Sequence, residues 1–438
     1  MVKWGLGVTF GSRAVLLFGT AAAALLTAAT GADAAGFYLQ EQSVRGWGRA
    51  NSGEVADEGA ASLWWNPAAI ARIEDSEGSF GATVILPSGR LEDRGTLIDR
   101  PVVPPAPVGG LSVMRNPIQK GAAPHMALAL RLSDGLAVGV SVASPYSFVS
   151  DYDPNGWQRY SAIRTRLVTL DVQPSVAWSP TPAISVGAGV NVVYSDAFLS
   201  NALPNLTPGS ADARLRLTGN GWDLGWSAGV QMRPTAGVSL GVAYKSAVAH
   251  KLRGPLEITG LTGPLAVRNS KADVDVRFST PWQLIVGARV KAGERLTLNT
   301  QIVHFGWSEF DRLEIGANAI PENYKNTWSV AFGVDAKASD RLTLRAGVQL
   351  DPTPTRDMSR DARVPDADRV DYNAGFSYRL TERFTLDGAA ALTDPGSGPI
   401  ARQERFYAGT AAQTDVLTAG RVRDQRVFVL SMGGRVRF

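Results

Sequence analysis

The stretch Ile184-Ser-Val-Gly-Ala-Gly-Val-Asn-Val-Val-Tyr194 alternates along its whole length. Even positions carry Ile184, Val186, Ala188, Val190, Val192 and Tyr194, and odd positions carry Ser185, Gly187, Gly189, Asn191 and Val193. Successive side chains of a strand point to opposite faces, so this segment reads as a β-strand with one greasy face and one small or polar face. The same even-numbered apolar face returns in residues 126–132, 168–178, 238–244, 282–290, 328–334 and 342–350. A soluble sandwich alternates as well, so the period leaves both architectures open.

The spacing of the strands separates them. Strands are expected near residues 79–86, 124–132, 135–143, 163–178, 183–195, 213–232, 238–250, 272–290, 295–305, 324–336, 341–350, 369–379, 383–391 and 425–438, fourteen in all. Tight connections, such as Ser133-Asp134, 179–182 and 380–382, alternate with seven long loops rich in Pro, Gly and Asp. Short periplasmic turns and long extracellular loops give an outer-membrane barrel this asymmetry, and a sandwich has no reason for it. The expected fold is all-β, a fourteen-stranded antiparallel transmembrane β-barrel. Tyr146, Trp157, Trp178, Tyr194, Trp222, Trp282, Phe305, Trp307 and Trp328 fall near strand ends, where interface girdles are expected.

Working outward, the chain opens with Lys3 and Arg13, an apolar run from Ala14 to Ala29 and an Ala32-Asp33-Ala34 site, the pattern of a signal peptide over residues 1–34. No later segment approaches the roughly 20 apolar residues of a membrane helix. Without Lys3, Arg13 and Asp33 the chain keeps 42 basic and 39 acidic residues, a dispersed balance that gives no nucleic-acid signal. It has no cysteine, which excludes a disulfide scaffold and thiolate metal sites.

Between the signal and the first strand lies Gly36–Ile73, which does not alternate. It mixes Glu41, Glu54, Asp57 and Glu58 with Arg45, Arg49 and Arg72, and it has one apolar turn, Leu63-Trp64-Trp65, running into Asn66-Pro67-Ala68. Charges on a compact segment need partners, which a polar cavity supplies. The expected organisation is a small N-terminal hatch over residues 35–75 plugging the lumen of a barrel over residues 76–438. Asn66 is placed to cap a turn whose first φ Pro67 fixes.

Hatch and barrel together resemble the FadL family of outer-membrane transporters of long-chain fatty acids and other hydrophobic compounds. The resemblance rests on Ala35-Gly36-Phe37, on Gly46-x-Gly48-Arg49-Ala50-x-Ser52-Gly53-Glu54 and above all on Asn66-Pro67-Ala68. Gly187-Ala188-Gly189-Val190-Asn191, Gly225–Gly229, Trp307-Ser308-x-Phe310 and Val364-Pro365-Asp366-x-Asp368-Arg369 extend it along the chain. It implies a gate built on Gly46, Gly48, Arg49, Glu54, Asn66, Pro67 and Ala68, and a lateral exit at a kinked third strand. The alternation of Val138, Val140 and Val142 does stop at Ser144-Pro145-Tyr146. A proline lacks the ladder donor, so the strand either ends there or bulges open, and the resemblance favours the opening.

Loops 196–211 and 245–271 carry Phe198, Leu199, Leu203, Leu256, Ile258 and Leu261, which either form a capture groove for greasy substrate or pack on one another to hold the loops shut. Lys325, Arg345 and Arg369 fall on odd, inward positions and are candidates to meet a substrate carboxylate. Lys325 sits where the family carries a lumenal lysine, but Ser195–Ser210 lacks the basic residues the family places after its fifth strand. A neutral hydrocarbon or aromatic cargo is therefore an alternative to a fatty acid, and a general porin is another. His125, His250 and His304 show no Ser/His/Asp pattern, so no enzyme is expected. Asp357, Asp361, Asp366 and Asp368 alternate with arginines, which suggests ion pairs rather than a metal. The expected partners are a hydrophobic small molecule and outer-membrane lipid, with no cofactor, no nucleic acid and a monomeric barrel.

Overall fold

The structure, a computed structural model, describes residues 36–438. The signal peptide expected over residues 1–34 lies outside the described residues. Fourteen wall strands run antiparallel: β1 (Glu77–Asp93), β2 (Gly121–Ser133), β3 in two parts (Leu136–Ala143 and Ser147–Asp151), β4 (Arg164–Thr181), β5 (Ile184–Leu203), β6 (Ala213–Thr235) and β7 in two parts (Val238–Lys245 and Val248–Thr259). There follow β8 in two parts (Ser270–Thr280 and Gln283–Lys291), β9 (Leu296–Phe305), β10 (Thr327–Lys337), β11 (Leu342–Asp351), β12 (Arg369–Arg379), β13 (Phe384–Pro395) and β14 (Thr414–Arg437). Pairing of β1 with β14, from Glu77 opposite Arg437 onward, closes the barrel. Closure pairs the first strand with the last, so neither end of the sheet is left bare in the hydrocarbon, where an unpaired N–H or C=O would have no water.

The alternation read from the sequence holds around the circumference. Trp222, Leu224, Trp226, Phe332, Phe428 and Leu430 are exposed on even positions, forming the lipid face. Odd positions such as Asn299, Gln301, Gln349 and Asp371 are buried inside. A continuous aromatic band crosses β6 to β10, with Trp226 on Tyr244 at 5.1 Å, Trp282 on His304 at 5.1 Å and His304 on Trp328 at 4.0 Å. Tyr146, Trp157, Phe305 and Trp307, expected in this girdle, are instead buried. Position near a strand end does not say which side a ring faces.

The second correction concerns the strands beyond the girdle. β5 continues to Leu203, and β7 resumes at Val248 after a two-residue break, so Phe198, Leu199, Leu203, Leu256 and Ile258 stand on strands rather than loops. β7 and β8 rise together as a long hairpin with Ile258 opposite Ser270. Leu261 lies past the strand end and packs with Leu203 and Leu265.

Residues 36–71 are buried inside the barrel except for two half-buried positions, Asp57 and Glu58. They form a short α-helix (Val44–Trp47) and three 3-10 turns (Glu54–Ala56, Ala60–Ser62 and Pro67–Ile70). Asn66 accepts from the Ala68 N–H at 2.9 Å, capping the last turn, and its amide donates to the carbonyl of Val55 at 2.7 Å. The wall makes room for this segment with inward glycines. A Cβ on Gly187 would lie 2.5 Å from the Ala68 nitrogen, one on Gly375 2.6 Å from Gly48 Cα, and one on Gly287 2.7 Å from the Val55 side chain. Gly139, Gly241 and Gly333 are crowded by the same segment.

Because backbone, not a flexible side chain, stands against Gly187, a methyl there cannot be accommodated by a rotamer change. Gly187→Ala should weaken docking of Pro67–Ile70 by about 1–3 kcal/mol, read as faster hydrogen exchange across Ser62–Ile73 in a barrel that still folds. Gly237→Ala, where the nearest atom is Lys291 Cβ at 3.8 Å, should exchange like the unaltered protein. Equal exchange in both variants would show that the glycines do not set this packing.

Candidate functional site

Near the extracellular end an apolar cavity is lined by Phe37, Phe148, Leu167, Leu199, Phe278 and Phe310. Phe37 belongs to the lumenal segment, and its ring packs on Phe310 at 5.1 Å, Trp307 at 5.2 Å and Tyr146 at 5.9 Å. Such edge-on rings make a large apolar surface with fixed geometry. Charged groups reach the cavity only in pairs. Arg166 bridges Asp196, Arg363 stands 3.9 Å from Asp361, and Arg402 holds both Glu322 at 3.1 Å and Asp361 at 3.2 Å. A molecule entering this cavity meets hydrocarbon and compensated charge.

Below it, the wall is interrupted. Ala143 of β3 pairs with Asp171 of β4 and Ser147 pairs with Val168, so Ser144-Pro145-Tyr146 stand opposite just Thr169 and Leu170. The extra residue is a bulge at the proline, and the strand resumes beyond it. On the other side the β2–β3 ladder stops at Met126 opposite Val142 and contact returns only where the Gln119 N–H donates to the Val149 carbonyl at 2.9 Å. Among the described residues, Gly121–His125 of β2 make no ladder pair with β3. The lumenal segment covers this gap from inside: Tyr38 forms a bridge with Tyr146, and the Leu39 N–H donates to the Pro145 carbonyl at 2.8 Å.

The segment is tethered below by a charge network. Arg49, fully buried, pairs with Glu54, with Asp57 at 2.6 Å and with Asp335 of β10 at 3.4 Å. Arg289 of β8 reaches Asp57 at 3.3 Å and Asp335 at 3.2 Å. Burial alone would raise the Asp57 carboxyl, but Arg289, Arg45 and Arg49 together hold it well below the usual range. Gly46 sits against this network, where a Cβ would lie 2.8 Å from the Glu54 carboxyl carbon, whereas Gly48 packs on the backbone of Gly375.

The predicted cations do not form a row into the lumen. Lys325 is exposed, outside the lining of the cavity, and its neighbour Tyr324 is the residue that lines it. The chain leaves strand geometry before Thr327, so odd parity no longer points inward at Lys325. Arg345 is paired with Asp335 at 2.5 Å and Arg369 with Asp351 at 2.7 Å. Of the predicted apolar residues, Leu199 lines the cavity, Leu256 packs against its surrounding core, and Leu203, Ile258 and Leu261 form a separate cluster higher up. His250 contacts Asp223 and Ser195 through the same Nδ1, each at 3.2 Å, and Thr280 through Nε2 at 3.2 Å. The sequence pattern did not anticipate this network, which sits within the wall. Phe148, Leu167 and Phe278 were missed as well, for they are apolar residues on strands, indistinguishable by pattern from lipid-facing ones.

A barrel whose lumen is filled by its own N-terminal segment has counterparts. Residues 25–438 match the family described as outer membrane protein transport protein (OMPP1/FadL/TodX). The chain belongs to the FadL family of outer-membrane transporters of long-chain fatty acids and other hydrophobic compounds. It is an outer-membrane protein. It is similar to outer membrane protein P1 of Haemophilus influenzae, 26% identical over 84% of this chain and 87% of the relative. It is similar to the long-chain fatty acid transport protein of Escherichia coli K12, 24% identical over 84% of this chain and 89% of the relative. Among solved structures, a Pseudomonas aeruginosa FadL homologue superposes with a TM-score of 0.81 at 25% identity, covering 92% of this chain and all of the other. The Ralstonia pickettii toluene transporter TbuX shares the fold at 16% identity, with a TM-score of 0.63 over 90% of this chain and 98% of the other.

In this FadL-family chain the upper anchor of the segment is acid-rich. The Gly36 N–H donates to Asp366 at 2.8 Å, and Glu41, Asp351 and Asp371 lie around the single cation Arg369. Burial pushes the Glu41 and Asp366 carboxyls up to about 7, although Arg369 pulls both down. In an unfolded chain these groups titrate near pH 4. Between about pH 4 and 7 the folded state therefore holds more protons, and its stability falls as pH rises through that window. The thermal midpoint of the purified protein, followed by tryptophan fluorescence, should be higher at pH 5 than at pH 8. Glu41→Gln should flatten that difference, and an unchanged slope would remove Glu41 from the account.

Proposed function

We propose that this chain takes up long-chain fatty acids or similar hydrophobic compounds across the outer membrane by capture in the aromatic cavity, rearrangement of the lumenal segment and lateral exit between β2 and β3. In this reading residues 35–75 are a hatch, residues 76–438 the barrel, and a single barrel is the working unit. The observation that carries it is that three consecutive residues serve both ends of the path. Phe37 lines the cavity, while Tyr38 and Leu39 pair with Tyr146 and Pro145 at the interrupted wall. A ligand that displaces the Phe37 ring pulls on the pairing that covers the gap. Asn66, Pro67, Arg49 and Glu54 hold the remainder of the hatch in place while its leading end moves.

The bulge at Pro145 supports exit through the wall, since an uninterrupted ladder would have to break several hydrogen bonds to let a chain pass. Leaving sideways places the cargo among lipid tails, and it never crosses the charged network beneath. A neutral hydrocarbon or aromatic cargo is the second reading, favoured by the pairing of Arg166 and Arg363 at the cavity. A porin is disfavoured by the close packing of the hatch against the wall glycines.

The chain has no cysteine, so a pair can be introduced cleanly. Directly opposite residues of antiparallel strands stand about 4.5–5.5 Å apart, within the reach of a disulfide. Tyr38→Cys with Tyr146→Cys, oxidised, should abolish uptake of a fluorescent fatty acid while the protein still inserts, and a reductant should restore it. Undiminished uptake by the oxidised pair would show that this contact does not open during transport.

A further inference from the structure

Six cations are buried among the described residues: Arg45, Arg49, Lys245, Arg360, Arg369 and Arg402. Five of them have a carboxylate oxygen within 4 Å. Lys245 has none. Its ammonium donates to Gln173 Oε1 at 2.7 Å and lies 4.0 Å from the centre of the Trp64 ring. Across from it, Asp171 is already satisfied by the Asn191 amide at 3.0 and 2.8 Å and by the Trp64 N–H at 3.2 Å. An ammonium has three donors, and removing it from water without an anionic partner is costly.

Lys245 lines a small cavity where three wall interruptions meet. Pro145 and Tyr146 come from the break in β3, Ser246 from the break in β7, and Pro281 from the break in β8. Two of its lining residues carry buried acceptors without a partner, Asn191 Oδ1 and Gln283 Oε1. Asn191 and Gln283 are 5% and 2% exposed. The Tyr146 ring is the partition: it borders this cavity and packs on Phe37, which lines the aromatic cavity above.

We propose that the lower cavity is a head-group station, in which Lys245 donates to the carboxyl group of a long-chain carboxylic acid whose tail lies in the aromatic cavity. Asn191 Oδ1 and Gln283 Oε1 accept the O–H of the acid when it is protonated. The proposal rests on the transport reading above and adds to it the class of cargo. The upper cavity has no unpaired cation to offer a carboxyl group, whereas the lower one has a cation and unmatched acceptors beside the exit. A hydrocarbon would leave the cation without an anion and both acceptors unmatched.

Binding of hexadecanoic acid and of hexadecane to the purified full-length protein separates the possibilities. Lys245→Met should weaken the acid about tenfold or more, as expected for a lost hydrogen bond to a charged group, and leave hexadecane within about twofold. Lys245→Arg should recover most of the acid affinity. An unchanged acid affinity, or an equal loss for both ligands, overturns the station while leaving the transport reading in place. Failure of the unaltered protein to bind either ligand overturns the transport reading and the station together.

Discussion

Fourteen strands enclose a lumen too wide for wall side chains to fill, so this barrel depends on what occupies its interior. The occupant is polar backbone with short turns, and its N–H and C=O groups need partners as surely as those of the wall do. The structure meets that need in two ways. Inward glycines let backbone approach backbone, as at Gly187 with Ala68 and Gly375 with Gly48. Inward amides then complete the hydrogen bonding: Gln301 accepts from the Val55 N–H at 2.9 Å, and Asn373 donates to the Trp47 carbonyl at 2.8 Å.

The two ends of the lumenal segment are held by different physics. At the periplasmic side, Arg45 and Arg49 share Glu54 between them and Asp57 with the wall's Arg289, and Arg49 shares Asp335 with Arg289, a buried network in which removing one member would strand the others. At the extracellular side, the hold is aromatic packing around Phe37, one backbone hydrogen bond to Pro145 and an acid-rich anchor at Gly36. The leading end is the one touching both the apolar cavity and the wall gap.

Much of this was legible in the chain. The period of two showed which residues face lipid along the lower wall, from Phe80 to Met432, but the parity reverses above the breaks in β7 and β8, where Leu252 and Phe278 are buried. The alternation of tight turns with long loops determined a closed barrel of fourteen strands. The Asn66-Pro67 cap and the break at Pro145 were also visible, because capping and the missing proline donor are local properties of two or three residues. The non-alternating stretch from Gly36 to Ile73, with balanced charges and no apolar core of its own, could be stable only inside something polar.

What only the tertiary structure decided are relations across the lumen. Parity assigns a side to a strand residue but fails once the backbone leaves the ladder, which is why Lys325 is outside and Tyr324 inside. Pattern also cannot pair charges: Arg345 and Arg369 read as free lumenal cations until Asp335 and Asp351 were found beside them. Lys245 gave no sign in the sequence, because a lone lysine at the end of an alternating strand looks like any rim residue. Its burial without a carboxylate comes from three strands breaking at the same level, and nothing in any one strand records where the others break.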